Sequence, residues 1–150
     1  MDKQLNQPQS RFPKPPETLK DLATGVKNKY FDKGLYEQLL DYSNESDLNN
    51  VFNALEVFIR EVGKNLSISQ LRNVYALVLG AGNDRQKLIC KRPNLAYVAA
   101  RLDKNTDGKK VMALIDDLIQ NVTTDSRHKN FKKTMEAMVA YHKFYGKKNG

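Results

Sequence analysis

Residues Ser46–Val62 read SDLNNVFNALEVFIREV, and their spacing decides the fold class. Leu48, Val51, Phe52, Leu55, Phe58, Ile59 and Val62 recur at intervals of three and four. At ~100° per residue that spacing gathers them into one unbroken apolar stripe on a helix. Ser46 is expected to cap this helix, and it stops at Gly63 or soon after. No part of the chain alternates with period two over a useful length, so no sheet is expected. The class is all-α.

Moving toward the N-terminus, Leu35, Leu39 and Leu40 support a short helix ending near Tyr42. Residues 18–33 are ambiguous, compatible with a short helix followed by Tyr30 and Phe31 pinned to the body. Residues 1–17 hold Pro8, Pro13, Pro15 and Pro16 among Gln and Asn, the composition of an extended, disordered tail. Toward the C-terminus, Ser67 and Gln70 make a capping box that opens a helix through Leu71, Val74, Tyr75 and Val78 to Gly80. The turn Gly80-Ala81-Gly82-Asn83 leads into residues 84–102, where Pro93 breaks or kinks the element and the second half buries Leu95, Val98, Ala99 and Leu102. Asp107 and Gly108 begin a helix carrying Val111, Leu114, Ile115, Leu118, Ile119 and Val122. Thr123, Thr124 or Asp125 caps the last one. The expected organisation is a tail over 1–17 and, over 18–150, a single-domain bundle of about five to six helices with short loops.

That last helix covers Arg127–Lys148, RHKNFKKTMEAMVAYHKFYGKK. Phe131, Met135, Met138, His142 and Tyr145 share one side. Lys129, Lys132, Lys133, Lys143 and Lys147 fall within an arc of ~100° on the other, a row of roughly 27 Å. The row is either a solvated face or a surface for a polyanion.

Charge is distributed unevenly. Residues 1–66 carry nine Lys/Arg against ten Asp/Glu, for −1, whereas residues 67–150 carry sixteen against seven, for +9, so the net charge of +8 comes from the second part. Such asymmetry points to a nucleic-acid face. One cysteine, Cys90, excludes an internal disulfide and a Cys-rich zinc site, fits a reducing cytoplasm, and is expected to be a small buried thiol. No apolar run approaches the ~20 residues that cross a bilayer, and the polar start carries no secretory signal. No membrane partner is expected.

Catalysis finds little support. His128 and His142 lie fourteen residues apart on one helix, ~21 Å of rise, too far to act on one phosphate within a chain; His142, on the apolar face, reads as a packing residue. Asp116 and Asp117 diverge by ~100° and read as solvating charge rather than a metal site. The glycine turn lacks the strand and Gly-Lys-Ser/Thr ending of a phosphate loop. No catalytic residue, metal or cofactor is therefore assigned. The basic residues say more. Arg72 follows buried Leu71, Lys91 and Arg92 precede the Pro93 break, and Tyr97 and Arg101 share a helix face with Asn94 one turn before. A guanidinium beside a tyrosine suits phosphate or ribose contact and stacking on an unpaired base, or else covers its own bundle. Together these residues suggest a positively charged groove, and the lysines of the last helix, Lys132, Lys133 and Lys143, are weaker candidates beside it.

Three blocks carry a family resemblance: Ser69-Gln70-Leu71-Arg72-Asn73, then Lys91-x-x-Asn94-Leu95-Ala96-Tyr97-x-Ala99-Ala100-Arg101, and Met135-Glu136-Ala137-Met138-Val139-Ala140-Tyr141-His142-Lys143-Phe144-Tyr145. Over roughly residues 67–147 the chain resembles the small helical subunit of the type III-A CRISPR effector, the Csm complex. Ala100 departs from the family's usual glycine and should only favour the helix. The resemblance implies a non-enzymatic, cytoplasmic protein whose copies stack head to tail beside the backbone and large subunits. Together these subunits hold guide RNA with its complementary target RNA. Carried onto matching positions, Arg72, Lys91 and Arg101 lead as target-strand contacts. The competing reading is a helix-turn-helix DNA-binding regulator built from residues 68–79 and 84–92.

Overall fold

A computed structural model describes residues 17–42 and 44–148. The tail expected over 1–17 lies, except for Glu17, outside them. The chain runs through α1 (Leu19–Tyr30), α2 (Leu35–Gln38), α3 (Glu45–Glu61), a 3-10 turn (Gly63–Asn65), α4 (Ile68–Leu79), α5 (Arg85–Ile89), α6 (Arg92–Arg101), α7 (Thr106–Gln120) and α8 (Asp125–Tyr145). Among the described residues there is no strand, and the sole β-type contact is an isolated bridge between Ser67 and Lys147. Six helices have ten residues or more, matching the expected bundle, while α2 and α5 are single turns.

Local chemistry sets the boundaries. The Ser67–Gln70 capping box is present in both directions. Thr18 and Asp21 form a second one, which settles the ambiguous stretch as α1. The cap of α3 is Asn44, not Ser46: its side chain accepts from Asp47 N–H, and Ser46 lies inside the first turn. Thr124 caps α8. The short helix ends at Gln38, and Tyr42 beyond it bonds Thr134 and the Asn130 carbonyl instead.

α7 organises the packing. Val111 through Asp116, with Leu118 and Ile119, are all buried, because the helix is covered from several sides. It packs against α1 and α6, while α8 packs against α3 and α4. One apolar cluster, from Val26 to Met138, joins both sets. Tyr30 and Phe31 meet Phe58 edge-on at 5.4 and 5.7 Å, so the pair is pinned to the body as expected.

Two expectations fail within this core. Asp116 does not solvate the surface: it is 6% exposed and accepts from Arg92 Nε at 2.9 Å and Gln120 Nε2 at 3.1 Å. A buried carboxylate needs such partners, and Arg92 arrives from α6 to supply one. Asp117 takes Lys27 and the Tyr36 hydroxyl. Cys90 is exposed, because it ends the one-turn α5 where the chain swings outward into α6.

Candidate nucleic-acid interface

α4 and α6 flank an open groove of about 580 Å³. Gln70, Asn73, Val74 and Leu77 come from α4, and Asn94, Tyr97, Val98, Arg101 and Leu102 from α6 and its end. Their spacing gives the reason. Each set recurs at three or four residues and so forms a stripe beside the buried one: Leu71, Val74 and Val78 on α4, Leu95 and Ala99 on α6. Val98 and Leu102, expected in the core, are only partly buried because they floor this groove.

Tyr97 and Arg101 sit one turn apart on its wall. The guanidinium lies 5.6 Å from the ring centroid and donates to the Tyr97 hydroxyl at 3.4 Å. Tyr97 nevertheless stays 63% exposed. Lys91, one turn before Asn94, brings its ammonium to the C-terminal end of α4, where a Cβ on Gly80 would lie 3.8 Å from it. A cation there is favoured by the carbonyl end of the helix. No carboxylate lines the groove.

The remaining residues singled out in the sequence go elsewhere. Arg72 is exposed, roughly 130° round α4 from the Gln70–Asn73–Leu77 stripe. Arg92 is engaged by Asp116. Lys132 donates to Asn83 Oδ1 at 2.6 Å, pinning the glycine turn to α8. Lys133 and Lys143 are exposed and form no ion pair among the described residues, but neither lines the groove. The structure thus unites Tyr97 and Arg101 with Lys91 at one end. Sequence reasoning missed the groove role of Gln70 and Asn73. Their three-residue spacing beside a buried stripe was the available signal.

Both histidines are buried. His142 Nε2 lies 3.0 Å from the Gly63 carbonyl and 2.7 Å from that of Leu66, so the Nε2–H tautomer donates and α8 clamps the turn before α4. Burial pushes its pKa down, opposed by those two bonds. His128 is 3% exposed with neither ring nitrogen bonded, and burial, reinforced by Lys132, lowers its pKa too. Neither histidine lines the α4/α6 groove. Among the described residues no three His, Cys, Asp or Glu side chains gather as a metal site, and no helix is long and apolar enough to cross a membrane.

The helix-turn-helix geometry does not materialise. Its reader would be α5, which has five residues, ~7.5 Å of rise, before the chain turns into α6. A sequence profile of the family described as Csm2 Type III-A matches residues 45–148, from the first residue of α3 to the end of the described chain. That span is wider than the resemblance read from residues 67–147. No curated protein and no solved structure matches the chain.

Proposed function

Because the chain belongs to the Csm2 family of type III-A CRISPR small subunits, we propose that it is a non-catalytic subunit that binds the guide–target RNA duplex along the α4/α6 side. The observation that carries this reading is the groove itself. Two family blocks, separated in the sequence by the seventeen residues 74–90, line one acid-free cleft presenting Tyr97 and Arg101, with Lys91 at its end. The charge of residues 67–150 supports attraction to a backbone recognised by shape rather than sequence. Arg72, Lys133 and Lys143 add charge from neighbouring surfaces, Lys132 does so while holding the glycine turn, and Arg92 serves the fold through Asp116.

Copies stack head to tail, which requires two different self-contacting surfaces on each subunit. The backbone and large subunits of the cytoplasmic effector are the other partners. Each copy makes few phosphate contacts, and the assembled filament multiplies them. The test is twofold. Expressed with the other subunits, the chain should co-purify with a Cas10-type large subunit and guide RNA. Alone, it should prefer guide–target RNA duplex to an equally long DNA duplex. A DNA preference, or metal-dependent RNA cleavage removed by a point mutation, would contradict the reading.

A further inference from the structure

Phosphate contact alone does not account for the lining of the groove. A backbone track is a row of cations, yet Arg101 is the single charged residue among the nine that line the cleft. Four of the nine, Val74, Leu77, Val98 and Leu102, give it an apolar floor that a phosphate cannot use. Three others are amides. The side chains of Asn73 and Asn94 make no hydrogen bond within the described chain, and that of Gln70 commits only its Oε1, to Ser67 N–H at 2.8 Å. Free amides both donate and accept, which is what the edge of a base requires. A tyrosine serving only as a lid over the core would be covered by its guanidinium, whereas Tyr97 remains 63% exposed.

We propose that the α4/α6 groove receives one unpaired nucleotide of an RNA strand, its base stacked on Tyr97 and its phosphate held by Arg101. The amides of Gln70, Asn73 and Asn94 border the base edge above the Val74–Val98 floor. The volume of about 580 Å³ falls within the ~300–1,000 Å³ typical of small-molecule sites. This rests on the RNA-binding reading and specifies which part of the RNA the groove takes.

The experiment compares three RNA duplexes by fluorescence anisotropy: fully paired, with a one-nucleotide bulge, and with an abasic residue in that bulge. The protein should bind the base-bearing bulge about tenfold more tightly than the abasic one, the effect of one base–aromatic stack. Tyr97→Ala should bring that ratio to about one, and Tyr97→Phe should preserve it. Equal affinity for bulged and abasic RNA would overturn the proposal while leaving duplex binding intact. So would a preference that survives Tyr97→Ala in protein with an unchanged circular-dichroism spectrum. Failure to bind any of the three would refute the RNA-binding reading itself, and this proposal with it.

Discussion

At the scale of single residues, Arg92 and Arg101 are both arginines of α6, but one belongs to the fold and the other to the surface. Arg92→Ala leaves the buried Asp116 carboxylate with only Gln120. It should cost about 1–2 kcal/mol in a thermal or urea melt, since the lost partner is itself partly solvated. RNA affinity should hardly change. Arg101→Ala should do the reverse. Sequence spacing put both in one basic group because the carboxylate that separates them lies twenty-four positions from Arg92, on α7. Gly146 is legible only in three dimensions for a similar reason. A Cβ there would stand 2.5 Å from His142 Nε2 and 2.7 Å from its carbonyl oxygen. Gly146→Ala should therefore force the imidazole off the Gly63 and Leu66 carbonyls and destabilise the protein by about 1–3 kcal/mol. The two histidines also set a pH dependence. Burial lowers both pKa values, so their contribution is intact above the ordinary histidine value and is lost as pH falls below it, where the unfolded chain takes up protons first. Melting temperature should fall between pH 7.5 and 5.5. His128→Leu, which removes an imidazole with no bonded nitrogen, should flatten that slope.

At the scale of elements, capping was the most reliable guide. The Ser67–Gln70 box fixed the start of α4 in the sequence and does so in the structure. Ser67→Ala should cost about 1 kcal/mol and loosen one wall of the groove, visible as faster hydrogen exchange in the first turn of α4. The error at α3 is instructive. Asn44, Glu45, Ser46 and Asp47 are all plausible in a first turn, and only the backbone geometry identifies Asn44 as the cap. The apolar stripe of α3 was read correctly because period alone determines it. The groove floor on α6 was not, because Val98 and Leu102 satisfy the same period as core residues. What leaves them only partly buried is the separation of α4 from α6, a tertiary property.

For the whole molecule, the all-α class, a bundle of about five to six helices and the concentration of positive charge in the second part were legible from period, caps and composition, whereas α1 was not. The meeting of α4 with α6 was not, since it depends on α6 lying on α7 while α4 lies on α8. That arrangement turns two scattered sequence blocks into one surface. The lysines of α8 contribute to the field around it rather than to its lining. The account therefore stands on cations at specific positions, Lys91 and Arg101, more than on net charge. The most direct measurement is the salt dependence of affinity for guide–target RNA duplex, comparing the unaltered chain with the double variant Lys91→Ala/Arg101→Ala. Each lost phosphate contact should remove roughly 0.7–0.9 from the slope of log affinity against log salt, so the double variant should bind more weakly with a slope shallower by about 1.5. An unchanged slope in a variant of unchanged melting temperature would contradict the assignment of this groove to RNA.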